Sequence, residues 1–485
     1  MSGLDTQGRA TGSDHHRAGR AAARSGSDRV STTRDRPRSI GSALGGSAGR
    51  GLRDTEGTAP AIGNRRRAAA FWSVAYAYLV IMLGTTLPSP LYGLYQDRFT
   101  FDAGMLTIIF AAYAGGVLVA LLLFGGLSDR VGRRPVVTAA LTVAGLSGAL
   151  FVLADDVVVL LAARVVSGVA AGLITGVAAA ALTELEPQGR ARRAAVVSTT
   201  VSTFGLGLGP LVAGLLAEYG PWPVRLPFVV YLVLLVPALF LVRWMPTTAP
   251  RQPGGTARWH IRRPAVARAG RPAFSVASMA AFPAFAVLGF FTSLAPTFLS
   301  GELGIGNIAI SGLMVFAVFA ASGSVQLLFR RLHDRSAITF GVAVVPVGLL
   351  LIVLALRADS LPLFIAGVLA GGAGSGLAFM GSLTLINRLA PAADRAQTVS
   401  AYFVVCYLAI SVPVIGLGFA AEAFGRYPAA LAFAVLIGGL ALVAGEINIA
   451  VARAEKNNPR RSTNRSETGG QTRPRVLSES RSTSG

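Results

Sequence analysis

Residues 125–135 read GGLSDRVGRRP, and this stretch decides the fold. A glycine pair, one aspartate (Asp129) and three arginines (Arg130, Arg133, Arg134) lie between two long apolar runs, 104–126 and 135–154. Pro135 opens the second run, where a missing N–H costs a helix little. A bilayer core of about 30 Å is crossed by about 20 helical residues. Both runs meet that length, so the stretch reads as a short polar hinge between two membrane helices.

Composition extends the reading to the whole chain. Hydrophobic residues are 53% and charged residues 14% of the 485. Soluble domains carry about 25% charged residues, so most of this chain faces lipid or other helices. The net charge of +21 sits outside the apolar runs: 13 arginines precede residue 70, and 8 basic residues follow Ala450. Cys406 is the only cysteine, and His15, His16, His260 and His333 all lie outside the apolar runs. Neither a disulfide framework nor metal-ligand spacing arises. No cofactor or metal is expected, and no nucleophile or base cluster suggests an enzyme. A basic tail alone does not make a nucleic-acid-binding protein. Lys456 is the only lysine among 44 basic residues, a bias that points to a GC-rich bacterial genome.

Twelve apolar runs follow one another, near 68–92, 104–126, 135–154, 157–183, 195–217, 225–243, 274–299, 308–329, 337–356, 361–386, 398–421 and 428–450. Lipid cannot satisfy backbone polar groups, so each is read as a helix. Basic residues orient them. The even-numbered gaps and both tails hold 39; the odd gaps hold four, Arg98, Arg225, Arg357 and Arg426. Both termini are therefore expected on the cytoplasmic side. The expected fold is all-α and integral to the membrane. Residues 1–67 form a disordered basic tail, 68–245 a first six-helix half, 246–273 a basic cytoplasmic linker, 274–450 a second half, and 451–485 a second disordered tail. The halves read as a repeat: Leu127 to Arg130 corresponds to Leu332 to Arg335, and Arg190-Ala191 to Arg395-Ala396, both at an offset of 205. Parallel six-helix repeats imply a transporter with a site between them.

At the hinge the sequence resembles the major facilitator superfamily, whose signature between helices 2 and 3 is G-x-L-a-D-R-x-G-R-R. Gly125, Leu127, Asp129, Arg130, Gly132, Arg133 and Arg134 match it, with Ser128 at the small position. A second pattern, in the fourth run, is met by Leu160, Arg164, Gly168 and Ala171, with Ser167 where glutamine is usual. Gly205, Gly209, Pro210 and Gly214 in the fifth run resemble the antiporter pattern, with Ala213 in place of a further glycine. That last pattern tilts the resemblance towards drug–proton antiporters.

The resemblance implies roles. The hinge holds the cytoplasmic side closed, Asp129 acting as a latch through charge-assisted hydrogen bonds. An Asp129→Asn variant is then expected to insert but transport poorly, which flux through the inserted protein would check. Arg164 is the one charge well inside a run. An arginine there is costly and faces a cavity or partner, or snorkels outward; the resemblance gives it proton coupling or substrate contact. Gly205, Gly209 and Gly214 permit close helix approach and Pro210 a pivot. Thr86, Tyr92, Phe285, Met380, Tyr402 and Tyr407 are candidates for an uncharged cavity wall suited to an amphipathic solute. No carboxylate lies near a predicted midplane, which departs from many proton-coupled relatives.

The reading is a bacterial plasma-membrane secondary transporter, monomeric, exporting a small organic compound by proton antiport. A symporter importing a metabolite or sugar is the alternative, and a non-transporting membrane receptor or scaffold is the alternative of another class. The partners expected are a small-molecule substrate, protons and the lipid bilayer.

Overall fold

The computed structural model describes residues 64–124, 127–246, 266, 270–390 and 395–457. The tails, most of the 246–273 linker and Gly125 lie outside the described residues, as do the side chains of Asp129 and Arg130.

The described chain is helical: α1 (Asn64–Thr86), α2 (Tyr92–Phe99), α3 (Ala103–Phe124), α4 (Leu127–Val131), α5 (Arg133–Leu153), α6 (Val157–Leu185), α7 (Ala191–Tyr219), α8 (Leu226–Arg243), α9 (Arg271–Ser293), α10 (Ala295–Glu302), α11 (Ile308–Leu328), α12 (Asp334–Arg357), α13 (Leu361–Leu389), α14 (Arg395–Phe424) and α15 (Arg426–Asn457). Among the described residues, twelve helical spans are long and apolar enough to cross a membrane. The chain is thus a multi-pass membrane protein. Leu153, Val158, Phe240, Leu350, Val435 and other large apolar side chains are exposed. In water such a surface would be a liability; against lipid it is the solvated face.

Two runs deviate from uninterrupted helices. Pro88 and Pro90 break the first, where a 3-10 turn over Ser89–Leu91 joins α1 to α2. The seventh stops at Ser293 and restarts as α10, with Pro296 in the first turn of the new helix. A proline fits a first turn and disrupts an interior. Two helix starts are capped by the residue before them. The Asp156 side chain accepts from the Val159 N–H at 2.7 Å to start α6, and Asn307 accepts from the Ile310 N–H at 3.0 Å to start α11. Each cap satisfies a donor that a helix N-terminus leaves without an intrahelical partner.

The first six spans pack chiefly on one another, as do the last six. Two seams join the sets, α7 against α11 and α3 against α14. Glycine sets how close the helices come. A Cβ on Gly168 would lie 2.1 Å from the Tyr113 carbonyl oxygen, and one on Gly116 would lie 2.2 Å from that of Val165, so α3 and α6 touch backbone to backbone. Across the seams, a Cβ on Gly312 would meet the Pro210 oxygen at 2.3 Å, and one on Gly418 the Ala103 oxygen at 2.8 Å. Both contacts lie at the end of the bundle opposite α4. Glu218 adds a polar tie at that end, its carboxylate accepting from the Ile308 N–H at 2.8 Å. Towards α4 the α7–α11 contact passes from backbone to side chains: a Cβ on Gly323 would meet Thr203 at 3.2 Å and Phe204 at 3.3 Å.

Candidate functional site

A cavity of about 180 Å³ lies between the two sets of spans. Its wall draws on α1, α3, α6 and α7 from the first set and on α9, α11, α13 and α14 from the second. Thr86, Arg164, Phe285 and Tyr407 line it. Tyr92, Met380 and Tyr402 lie off the lining. Tyr402 instead packs in the core with its hydroxyl 2.6 Å from the Ser382 Oγ.

Arg164 is 1% exposed. Its Nη1 donates to the Thr85 carbonyl at 2.7 Å. That acceptor exists because α1 ends at Thr86, leaving its last carbonyls without intrahelical donors. The C-terminal end of a helix also carries partial negative charge, which favours a cation. The guanidinium carbon lies 4.9 Å from the centre of the Tyr113 ring and 5.8 Å from that of Phe110. Ring faces at these distances attract a cation. Snorkelling is therefore not what this arginine does: it turns inward, into the cavity wall.

The pivot residues meet the same region from α7. A Cβ on Gly205 would meet the Leu79 oxygen at 2.8 Å, and one on Gly209 the Leu83 oxygen at 2.2 Å, so this face of α7 lies against α1. Gly214 faces α11 instead, where its Cβ would lie 2.7 Å from the Ile308 oxygen. Pro210 has no N–H, which deprives the Leu206 carbonyl of its donor four residues on. Thr86 supplies the replacement, its Oγ1 donating to that carbonyl at 2.7 Å. One missing hydrogen bond in α7 is thus repaired from α1, directly at the cavity.

At the hinge, Gly132 has φ of 93°, a conformation that favours glycine. The turn carries Arg133 back over α4, where its Nη1 donates to Ser128 Oγ at 2.6 Å. Its Nε and Nη2 donate to one Glu184 carboxylate oxygen at 3.1 and 2.9 Å. Arg133 therefore ties the hinge to the end of α6. Leu127 starts α4 and Arg134 lies in the first turn of α5, where its carbonyl accepts from Thr138. The latch expected at Asp129 involves a side chain outside the described residues.

The α6–α7 turn beside it is built on Glu186, 2% exposed. Its carboxylate accepts from the backbone N–H groups of Gln188 at 2.8 Å and Arg190 at 2.6 Å, and from the Arg193 guanidinium at 3.3 Å. Burial pushes its pKa up, but the backbone donors and Arg193 outweigh that and hold it below the ordinary glutamate value. The stability this adds is fully present above that ordinary value and is lost as pH falls through the depressed one. Purified protein melted across an acidic pH series should show wild type above Glu186→Gln in Tm, with the gap closing at the acid end.

The repeat partner of the hinge is also heavily bonded. Asp334 pairs with Arg388 at 2.9 Å and with His333 at 2.9 Å. Buried Arg335 donates to Asn448 Oδ1 at 3.1 Å, and Asn448 Nδ2 donates to the Arg335 carbonyl at 2.9 Å and to Thr339 at 3.0 Å. The network links α12 to α13 and α15.

Sequence reasoning passed over Tyr78, Tyr113, Ser322, Gln326 and Phe403 on the cavity wall. One signal was present: Ser322 and Gln326 are polar residues four apart in an apolar run, and Gln326 donates to Ser322 at 3.2 Å. The aromatic residues gave none, since a ring facing a cavity and a ring facing lipid look alike in sequence.

Known proteins share this architecture. A bacterial homologue of the human lysosomal transporter Spinster, solved in an inward-facing and unoccupied conformation, superposes with a TM-score of 0.62 at 15% identity, covering 79% of this chain and 98% of that one. The human organic anion transporter MFSD10 gives a TM-score of 0.58 at 16% identity over 80% of this chain and 100% of its own. The nucleoside transporter NupG gives 0.63 at 12% identity over 79% of this chain and 99% of its own. In sequence, the chain is 27% identical over 219 residues to multidrug resistance protein D of Escherichia coli strain K12, which covers 45% of this chain and 54% of that protein. The family model for the Major Facilitator Superfamily matches residues 74–413, from α1 into α14. With the hinge, the buried arginine and most of the two-set helical bundle inside that match, the chain belongs to the Major Facilitator Superfamily.

Proposed function

We propose that this protein is a secondary transporter of a bacterial plasma membrane, exporting a small amphipathic organic solute by alternating access in exchange for protons. The observation that carries the reading is the cavity between the two sets of spans, with helix backbones meeting across both seams at the end opposite α4. A chamber between two helical sets with one closed end is what alternating access requires. The excess of arginine in the α4-side connections and the tails supports a cytoplasmic position for the α4 end. The closed end then faces outward, and the cavity is poised to load from the cell interior. Export draws support from the sequence similarity to multidrug resistance protein D and from the Gly205, Gly209, Pro210, Gly214 pattern.

In this reading Asp129 latches the hinge, Arg133 braces it against Glu184, and Pro210 with its neighbouring glycines lets α7 rock. The protein works as a monomer. The test is flux in proteoliposomes. A panel of fluorescent amphipathic dyes is offered on one side under an imposed pH gradient. Dye movement opposite to the proton, abolished when the gradient is collapsed, is the expected result. Movement with the proton indicates import, and binding of dye with no flux defeats the transport reading.

A further inference from the structure

We infer that the solute this cavity takes is an organic monoanion, its carboxylate or sulfonate seated on Arg164 and its apolar body on the aromatic wall opposite. The inference rests on the reading of the cavity as the transport site.

The cavity wall carries one charge. Arg164 lines it, and among the described residues no acidic side chain does. The groups around the guanidinium orient it without neutralising it. The Thr85 carbonyl is a dipole, and the Tyr113 and Phe110 rings are quadrupoles. None is an anion. A cation 1% exposed in apolar surroundings is costly to bury unless an opposite charge meets it. The side chain also has an unused edge. Its Nε is buried with no hydrogen-bond partner, although one Nη is engaged. The Tyr92 hydroxyl is buried beside the same guanidinium. Buried donors without acceptors are rare in folded proteins. The planar guanidinium presents parallel N–H bonds that match the two oxygens of a carboxylate, and such charge-assisted pairs are the strong ones.

The remainder of the wall sets the rest of the molecule. Phe285, Phe319, Phe379 and Phe403 line the α9, α11, α13 and α14 side, where no charge is present. A flat or branched apolar body fits there. A second negative charge on the solute would have no counter-ion, so dianions are disfavoured. A cation would face Arg164 directly. The Ser322 and Gln326 side chains on the same wall can hydrogen-bond one neutral polar substituent.

The probes are three naphthalenes of one shape: 2-naphthoate, its neutral amide, and the corresponding naphthylmethylammonium. Binding to purified full-length protein is measured by calorimetry, and flux is measured in proteoliposomes. Wild type is expected to bind the carboxylate about tenfold or more tightly than the amide and to reject the ammonium. Arg164→Gln, which keeps a polar side chain without the charge, should erase the preference. Arg164→Lys should keep an anion preference with a raised KM, because the charge remains and the fork is lost. If the glutamine variant does not fold, the ranking on wild type still decides. Equal binding of carboxylate and amide, preference for the ammonium, or binding of none of the three overturns the anion site. A preference retained in Arg164→Gln overturns it as well. Transport of the amide or the ammonium with no carboxylate preference sinks the anion site and leaves transport standing. Carboxylate binding without flux does the reverse.

Discussion

Gly116→Val is expected to yield almost no stably folded protein, whereas Gly115→Val, at the adjacent position, is expected to be tolerated. The contrast comes from one feature of α3. A Cβ at residue 116 would lie 2.2 Å from the Val165 oxygen and 3.1 Å from Gly168 Cα, both in the backbone of α6. A Cβ at residue 115 meets nothing within 4 Å. Backbone cannot rotate out of the way as a side chain can, so α3 and α6 would have to separate. Overpacking typically costs about 1–3 kcal/mol, occasionally more, and here it acts where both partners are helix backbone. The damage also reaches the site, because this contact holds Tyr113 of α3 beside Arg164 of α6. Fluorescence-detected size-exclusion chromatography with a melting curve checks it: a monodisperse Gly116→Val protein melting near wild type would show that α3 and α6 are not this close.

The second large effect is expected at the α7–α11 seam. A valine at residue 312 would press on the Pro210 oxygen, 2.3 Å from the position of its Cβ, and on Gly214 Cα at 3.2 Å. These contacts join the two sets of spans and belong to neither alone. The substitution therefore destabilises the closed end more than it destabilises either set, and shifts the population towards the state in which that end is open. Flux is expected to fall about tenfold or more, since a shift of about 1.4 kcal/mol already changes a population ratio tenfold. The protein should still fold and insert. A cysteine placed at Glu218 should react faster with an impermeant thiol reagent in Gly312→Val than in the wild-type background. Unchanged labelling with unchanged flux would remove the seam from the mechanism.

The large features of the bundle were legible because lipid imposes a length on each apolar run and the hinge marks a polar turn between two of them. All twelve runs correspond to spans, and the resemblance at residues 125–135 led to the right superfamily. Breaks were less legible. Pro88 and Pro90 lie at the end of the first run, yet a sequence does not say whether prolines there kink a helix or turn it into a 3-10 segment. That turn matters, because ending α1 at Thr86 frees the carbonyl that Arg164 takes.

The cavity wall was the least legible part. A helix that is apolar all round gives no period to tell its lipid face from its chamber face. Tyr402 and Tyr407 lie five residues apart in one run, and only Tyr407 lines the cavity. Arg164 was singled out because a charge in that position has few tolerable environments. Its environment was beyond the sequence, as it depends on Thr85, Phe110 and Tyr113 arriving from two other helices.

Glu218 and Ile308 face each other across the seam, joined by the 2.8 Å bond from the Ile308 N–H. Cysteines at these two positions, with Cys406→Ala, can be bridged by a short, reductively cleavable thiol reagent. In proteoliposomes, flux of the dye that the transport screen selects is then measured before bridging, after it, and after reduction. Alternating access predicts that bridging stops flux and that reduction restores it. Undiminished flux through fully bridged protein would contradict the mechanism, because the solute would be crossing without the seam ever opening.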